Sequence, residues 1–232
     1  MSRVQQKPAK KGSQKWLQLA VNKRQKLLDA LITPQLGTSL PSIEWLSPLQ
    51  SDDYAEYRDR EFLSRLRLDL KHYPLEQFWP KSGPQWDGLA KTNNDQILLI
   101  EAKAHIGEMR SSGSGASDPI SRKKIAHSLQ ETQRFLGARR SVDWARSPYY
   151  QYANRLAHLY LLAELNGFDA YLVMLYCLND VDMNGPQESR EWKAAIQEQD
   201  AALGLPDVHQ LSRRVIHVWL DIQASTDDSL FR

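Results

Sequence analysis

The chain has 232 residues, of which 41% are hydrophobic and 25% charged, and carries a formal net charge of +2. These values exclude wholesale disorder and a disulfide scaffold, and they suit one domain with elaborations. No apolar run approaches the roughly 20 residues that a membrane-spanning helix needs, and the single cysteine, Cys177, has no partner in the chain, so a cytoplasmic protein with no membrane contact is expected.

Charge is unevenly distributed. Residues 1–30 hold eight Lys or Arg and one acid, Asp29, which leaves 22 bases and 27 acids for the rest. A basic arm on a mildly acidic body is expected to be either a mobile terminus or a contact for an anionic polymer. Residues 1–50 are therefore read as a basic arm and helix, and residues 51–232 as the main domain.

In chain order, residues 1–14 read as mobile. A helix is expected over Gln14–Ile32, stopped by Pro34 and Gly37, and Leu36–Leu49, with Pro41 and Pro48, reads as a connection. Asp52 or Asp53 is positioned to cap a helix to about Leu70, with Phe62, Leu66 and Leu70 on one stripe. At 100° per residue Asp59 falls within that stripe, Glu56 on its border and Glu61 well away. Trp86–Lys91 and Gln96–Lys103 flank the turn-rich Thr92-Asn93-Asn94-Asp95 and read as a β-hairpin. The run Ile97–Ile100 is apolar on both faces, which predicts a central, covered strand. Ser111–Ser117 reads as a flexible loop. Helices are expected at Ser121–Leu136, Gln151–Leu165 and Glu191–Leu203, and strands at Tyr171–Leu178 and Val215–Ile222. Helices alternating with strands after a hairpin predict an α/β fold around a mixed sheet.

The chemistry concentrates at Asp87 and at Glu101-Ala102-Lys103. Strand residues i and i+2 share a face, so Glu101 and Lys103 project together, and Asp87 on the partner strand approaches Glu101. Two adjacent carboxylates repel, and a hard divalent cation such as Mg²⁺, with Mn²⁺ as a substitute, relieves that repulsion through oxygen ligands. Asp87, Glu101 and the Ala102 carbonyl are the expected metal ligands. Lys103 can orient or deprotonate a water, or stabilise charge in the transition state of phosphodiester hydrolysis. No Gly-rich loop with Gly-Lys-Ser/Thr and no Cys/His zinc set accompanies these residues.

The pattern Gly83-Pro84-Gln85-Trp86-Asp87, thirteen residues, then Glu101-Ala102-Lys103 resembles the PD-(D/E)XK nuclease superfamily, with Trp86 at the position of the motif's proline. The resemblance implies a restriction-endonuclease-like three-layer α-β-α core with a central mixed β-sheet, here with an added N-terminal helical segment. It implies a metal-dependent nuclease, with DNA as the first expected substrate, and a homodimer as a possible assembly. It also implies that an acid from the preceding helix completes the site, with Glu56 the first candidate and Asp59 the second. His105 continues the Glu101/Lys103 face, read either as a contact to substrate phosphate or as a hydrogen-bonded strand-end histidine. Gln151, Asn154, Arg155 and His158 form one polar helical stripe, read either as a solvated face or as substrate contacts, with Arg155 the best phosphate donor. The alternative function is a non-catalytic nucleic-acid-binding or assembly module on the same fold.

Overall fold

The computed structural model describes residues 2–37 and 41–223, so part of the expected 36–49 connection and both chain ends lie outside the described residues. A mixed five-stranded sheet forms the centre, in the order β2 (Ile43–Ser47), β4 (Gly88–Thr92), β5 (Ile97–Lys103), β6 (Ala170–Leu178), β7 (Val215–Asp221). The β2/β4 and β4/β5 pairs are antiparallel, and the β5/β6 and β6/β7 pairs are parallel. A separate two-stranded ribbon pairs β1 (Arg3–Val4) with β3 (Glu56–Tyr57).

Strand β5 shows why the sheet is covered on both sides. All seven of its residues are buried. Ile97 and Leu99 enter a core built with α3 (Asp59–Arg65), α4 (Leu75–Phe78), α5 (Pro119–Leu136), α6 (Tyr150–Tyr160) and α7 (Ser189–Leu203). Leu98, Ile100 and Ala102 enter a second core with α1 (Gly12–Lys23) and α2 (Gln25–Ile32). Period-2 alternation of apolar residues on a two-sided strand requires helices on both faces, and the result is an α/β protein of three layers.

The parallel crossovers are built from helices with clear ends. Asp118 caps α5 by accepting the Ser121 N–H at 2.7 Å, Pro119 opens the helix, and Gly137 at φ +71° closes it. Glu188 and Glu191 form a reciprocal capping box on α7.

Four expectations are corrected. Residues 14–32 are not one helix, because the backbone leaves the helical region at Arg24 (φ −132°) and α2 starts afresh. The 36–49 connection contains the edge strand β2, where Ile43 and Trp45 are buried and Glu44 between them is exposed. The helix from Asp52 or Asp53 to Leu70 is reduced to α3, since Asp53 and Tyr54 sit at φ 52° and 49°, left-handed geometry that no α-helix continues through. Finally, residues 2–14 are not loose. Arg3 and Val4 pair with β3, the Arg3 guanidinium donates to Asp52 Oδ1 at 2.7 Å, and the Gln6 N–H donates to the Asp53 carbonyl.

Candidate active site

The site lies where β4 begins and β5 ends. Gly88 faces Ile100, and a side chain there would bring Cβ within 3.2 Å of the Ile100 Cβ and 3.3 Å of the Ser47 carbonyl oxygen. The missing side chain lets the strands close at this point. One residue earlier β4 has not yet started, and the Asp87 side chain supplies what the ladder lacks: its Oδ2 accepts the Ala102 N–H at 2.9 Å. In an extended strand a residue's N–H and C=O point to the same edge, so the Ala102 carbonyl is turned to the Asp87 side.

Beside this contact is a buried ion triad. Glu101 Oε1 accepts from Lys103 Nζ at 2.6 Å and its Oε2 from Arg155 Nε at 2.7 Å. Side-chain exposures are 2% for Glu101, 7% for Lys103 and 4% for Arg155. Burial would raise the Glu101 carboxyl, but Arg155 and then Lys103 hold it below its ordinary value. Asp87 has no such cation bound to it. Burial first, then the facing Glu101, and further off Glu56, push it up to about 8 against the pull of Lys103. Two carboxyl groups forced in opposite directions at one spot are the signature of a site arranged around charge.

Glu56 reaches this site from β3, not from a helix. Tyr57 bridges Trp86, and the Trp86 N–H donates to the Tyr57 carbonyl at 3.0 Å, which sets Glu56 beside Gln85 and Asp87. Its carboxylate is buried under three amide donors: Gln14 Nε2 at 2.9 Å, Gln6 Nε2 at 3.1 Å, and Gln85 Nε2. Asp59 lies apart, with its oxygens accepting the Gly83 and Ser82 N–H groups. Glu61 is exposed.

A cleft of about 550 Å³ opens on these groups, lined by Glu56, Gln85 and Asp87, by Gln151, Asn154 and Arg155 of α6, and by residues 110–113. The polar stripe of α6 therefore faces the sheet and not solvent. Gln151 accepts from Lys103 Nζ at 2.7 Å. Arg155 is not free to meet phosphate. Its Nη1 donates to Asn154 Oδ1, its Nη2 donates to the Gln85 carbonyl at 2.7 Å, and the guanidinium lies over the Trp86 ring. His158 is buried among Phe62, Phe78, Trp79 and Trp86, and burial pushes it down to about 3, so its ring is neutral. His105 is turned to Glu108, 3.5 Å away, and does not line the cleft.

The structure thus gathers Asp87, Glu101, Ala102, Lys103, Glu56, Gln151, Asn154 and Arg155, and leaves His105 aside. Sequence reasoning missed Gln6, Gln14 and Gln85, the three amides on Glu56. Gln85 lies two residues before Asp87, whereas nothing local in the sequence ties Gln6 or Gln14 to residue 56. Among the described residues no group of three or more His, Cys, Asp or Glu side chains is arranged as a metal-ligand set. No protein-family model, curated protein or solved structure matches the chain.

Proposed function

We propose that the chain is a metal-dependent nuclease of restriction-endonuclease-like fold, hydrolysing phosphodiester bonds with Asp87, Glu101 and Lys103 at the centre of the site. The observation that carries this reading is the Asp87 carboxylate seated on the Ala102 N–H next to Glu101, with the Lys103 ammonium between Glu101 and Gln151. Three carboxylates, Glu56, Asp87 and Glu101, stand against two cations, Lys103 and Arg155, and leave one negative charge uncompensated when all are ionised. A divalent cation reverses that sign, and one phosphodiester anion then neutralises it.

The donor set fits a hard cation. Among the described residues Asp87 makes a single hydrogen bond, through Oδ2, and Oδ1 has no partner. Asp87, Glu101 and the Ala102 carbonyl would hold Mg²⁺ or Mn²⁺, with water and a substrate oxygen completing six positions. Bound there, the ion would supply Lewis-acid polarisation of the phosphate and a more acidic water. Lys103 orients the attacking water or stabilises charge on the phosphoryl oxygens. Arg155 holds Glu101 in place from behind, and Glu56, fixed by its three amides, closes the opposite side of the cleft. The basic arm and the polar cleft support a nucleic-acid substrate, with DNA as the first polymer to test.

One observation favours a second reading, a nucleic-acid-binding module without catalysis: both Glu101 oxygens are already engaged by Lys103 and Arg155. Calorimetric titration with Mg²⁺ and Mn²⁺ separates the two. The nuclease reading expects a bound divalent ion that Asp87→Asn removes. Wild-type protein that binds neither ion, with or without an oligonucleotide, would favour the non-catalytic module.

A further inference from the structure

The cleft at Asp87 does not end at Asn154. Tyr150 and Asn154 also line a second cavity of about 380 Å³, and Ser114 and Ile125 line both that cavity and a neighbouring third of about 440 Å³. The route follows the 111–117 segment and the first half of α5. Lys81 borders the second cavity, and Arg122 and Arg140 border the third. All three are exposed, and none is within ion-pair distance of a carboxylate among the described residues. The route also carries Asp118 and Asp143. The first caps α5, and the second pairs with Arg146 at 3.6 Å.

The wall of this groove is pinned. The Ser111 N–H donates to the Pro148 carbonyl and the Ser114 N–H to the Ala145 carbonyl, both at 2.7 Å. Between them, a Cβ on Gly113 would sit 2.6 Å from the Ala145 oxygen, so only glycine permits this approach. The Gly/Ser segment is thus held against residues 145–148, and the groove exists before any ligand arrives.

We propose that this groove carries one single strand of nucleic acid away from Asp87, its phosphates meeting Lys81, Arg122 and Arg140 in turn. This rests on the nuclease reading for its starting point and adds the form of the polymer. Cations spaced along one channel track one backbone. Tyr150, partly buried against the core, borders the first two cavities with its remaining surface; an unpaired base can meet that surface, whereas in a duplex the base faces are already stacked.

The test is fluorescence anisotropy with a 12-nucleotide oligothymidylate and with its duplex with oligoadenylate, both in Ca²⁺ to prevent cleavage. Wild-type protein is expected to bind the single strand at least about 10-fold more tightly than the duplex. Arg122→Gln/Arg140→Gln should weaken single-strand binding about 10-fold and lower the salt slope by about 1.4, at roughly 0.7 per phosphate contact. Lys71→Gln/Arg213→Gln, which removes the same charge at exposed positions outside all three cavities, should change neither. Equal losses in the two double variants, or tighter binding of the duplex, would overturn the groove. Groove-dependent binding by a protein that cuts no polymer in Mg²⁺ would instead overturn the nuclease reading and leave the groove standing. Cleavage without groove dependence would do the reverse.

Discussion

At the scale of single residues, the site is a balance between Glu101, with two cations, and Asp87, with none. Breaking a buried ion pair by removing one partner costs about 3–5 kcal/mol, because the other charge is left buried and uncompensated. Glu101→Ala strands both Lys103 and Arg155 and is expected to destabilise by that amount in urea denaturation. Lys103→Met leaves the Arg155–Glu101 bond in place and should be milder. The Glu101/Lys103 partnership was legible because i and i+2 share a strand face. Arg155 was legible only as a polar helical residue, since its contact with Glu101 spans 54 positions and depends on how α6 lies on the sheet. His158 gives a pH prediction. Burial lowers it from its ordinary 6.5 to about 3, so between those values the unfolded chain takes up a proton that the folded chain refuses. Its contribution to stability is full above pH 6.5 and is lost as pH falls toward 3. His158→Phe should have a shallower fall in stability between pH 6.5 and 4 than wild type, measured by denaturation at fixed pH steps. Identical slopes would mean that the ring does not stay neutral.

At the scale of elements, the sequence period picked out Phe62, Leu66 and Leu70 as buried residues, but the helix carries only Phe62: it begins at Asp59 and ends at Arg65, and Arg67 sits at φ 57°. Asp52 is not a helix cap: it accepts from Arg3 and from the Tyr57 hydroxyl, and the chain then turns through Asp53 and Tyr54. Glu56 therefore arrives on a strand and not on the border of a helical stripe. Its place near Asp87 follows instead from the Tyr57/Trp86 bridge. Strand β2 was hidden because Pro41 and Pro48 read as loop residues, although prolines beside an edge strand interrupt no ladder. The N-terminal arm is the largest departure. Its Gln6 and Arg3 are built into the wall around Glu56 and Asp52, while Lys7, Lys10 and Lys11 remain exposed. Deleting residues 2–8 should lower stability by about 2 kcal/mol or more, the scale of hydrogen bonds to charged groups, and should reduce cleavage through release of Glu56. Gln6→Ala should reduce cleavage with a smaller loss of stability. A deletion that changes neither the denaturation midpoint nor the cleavage rate would return the arm to a loose tail.

At the scale of the whole molecule, two cores sandwich one sheet, and the site opens at the rim where the antiparallel half of the sheet meets the parallel half. The α/β class and the buried central strand were legible from alternation and from the apolar run at Ile97–Ile100, because those patterns report burial directly. The packing order of helices, which turns the polar stripe of α6 inward, is a property of the assembled layers and left no local trace. No helix among the described residues is long and apolar enough to cross a membrane. The proposed reaction is cleavage of a phosphodiester backbone by a divalent cation held at Asp87 and Glu101, with Lys103 beside it. Its most direct test is incubation of single- and double-stranded DNA and RNA with wild-type protein and Lys103→Met in Mg²⁺ or Mn²⁺, with thermal unfolding measured on the same samples. Cleavage of at least one polymer by wild type, lowered about 100-fold or more in a folded Lys103→Met protein, is the predicted result. Undiminished cleavage by folded Lys103→Met, or no cleavage of any of the four polymers by wild type, would contradict it.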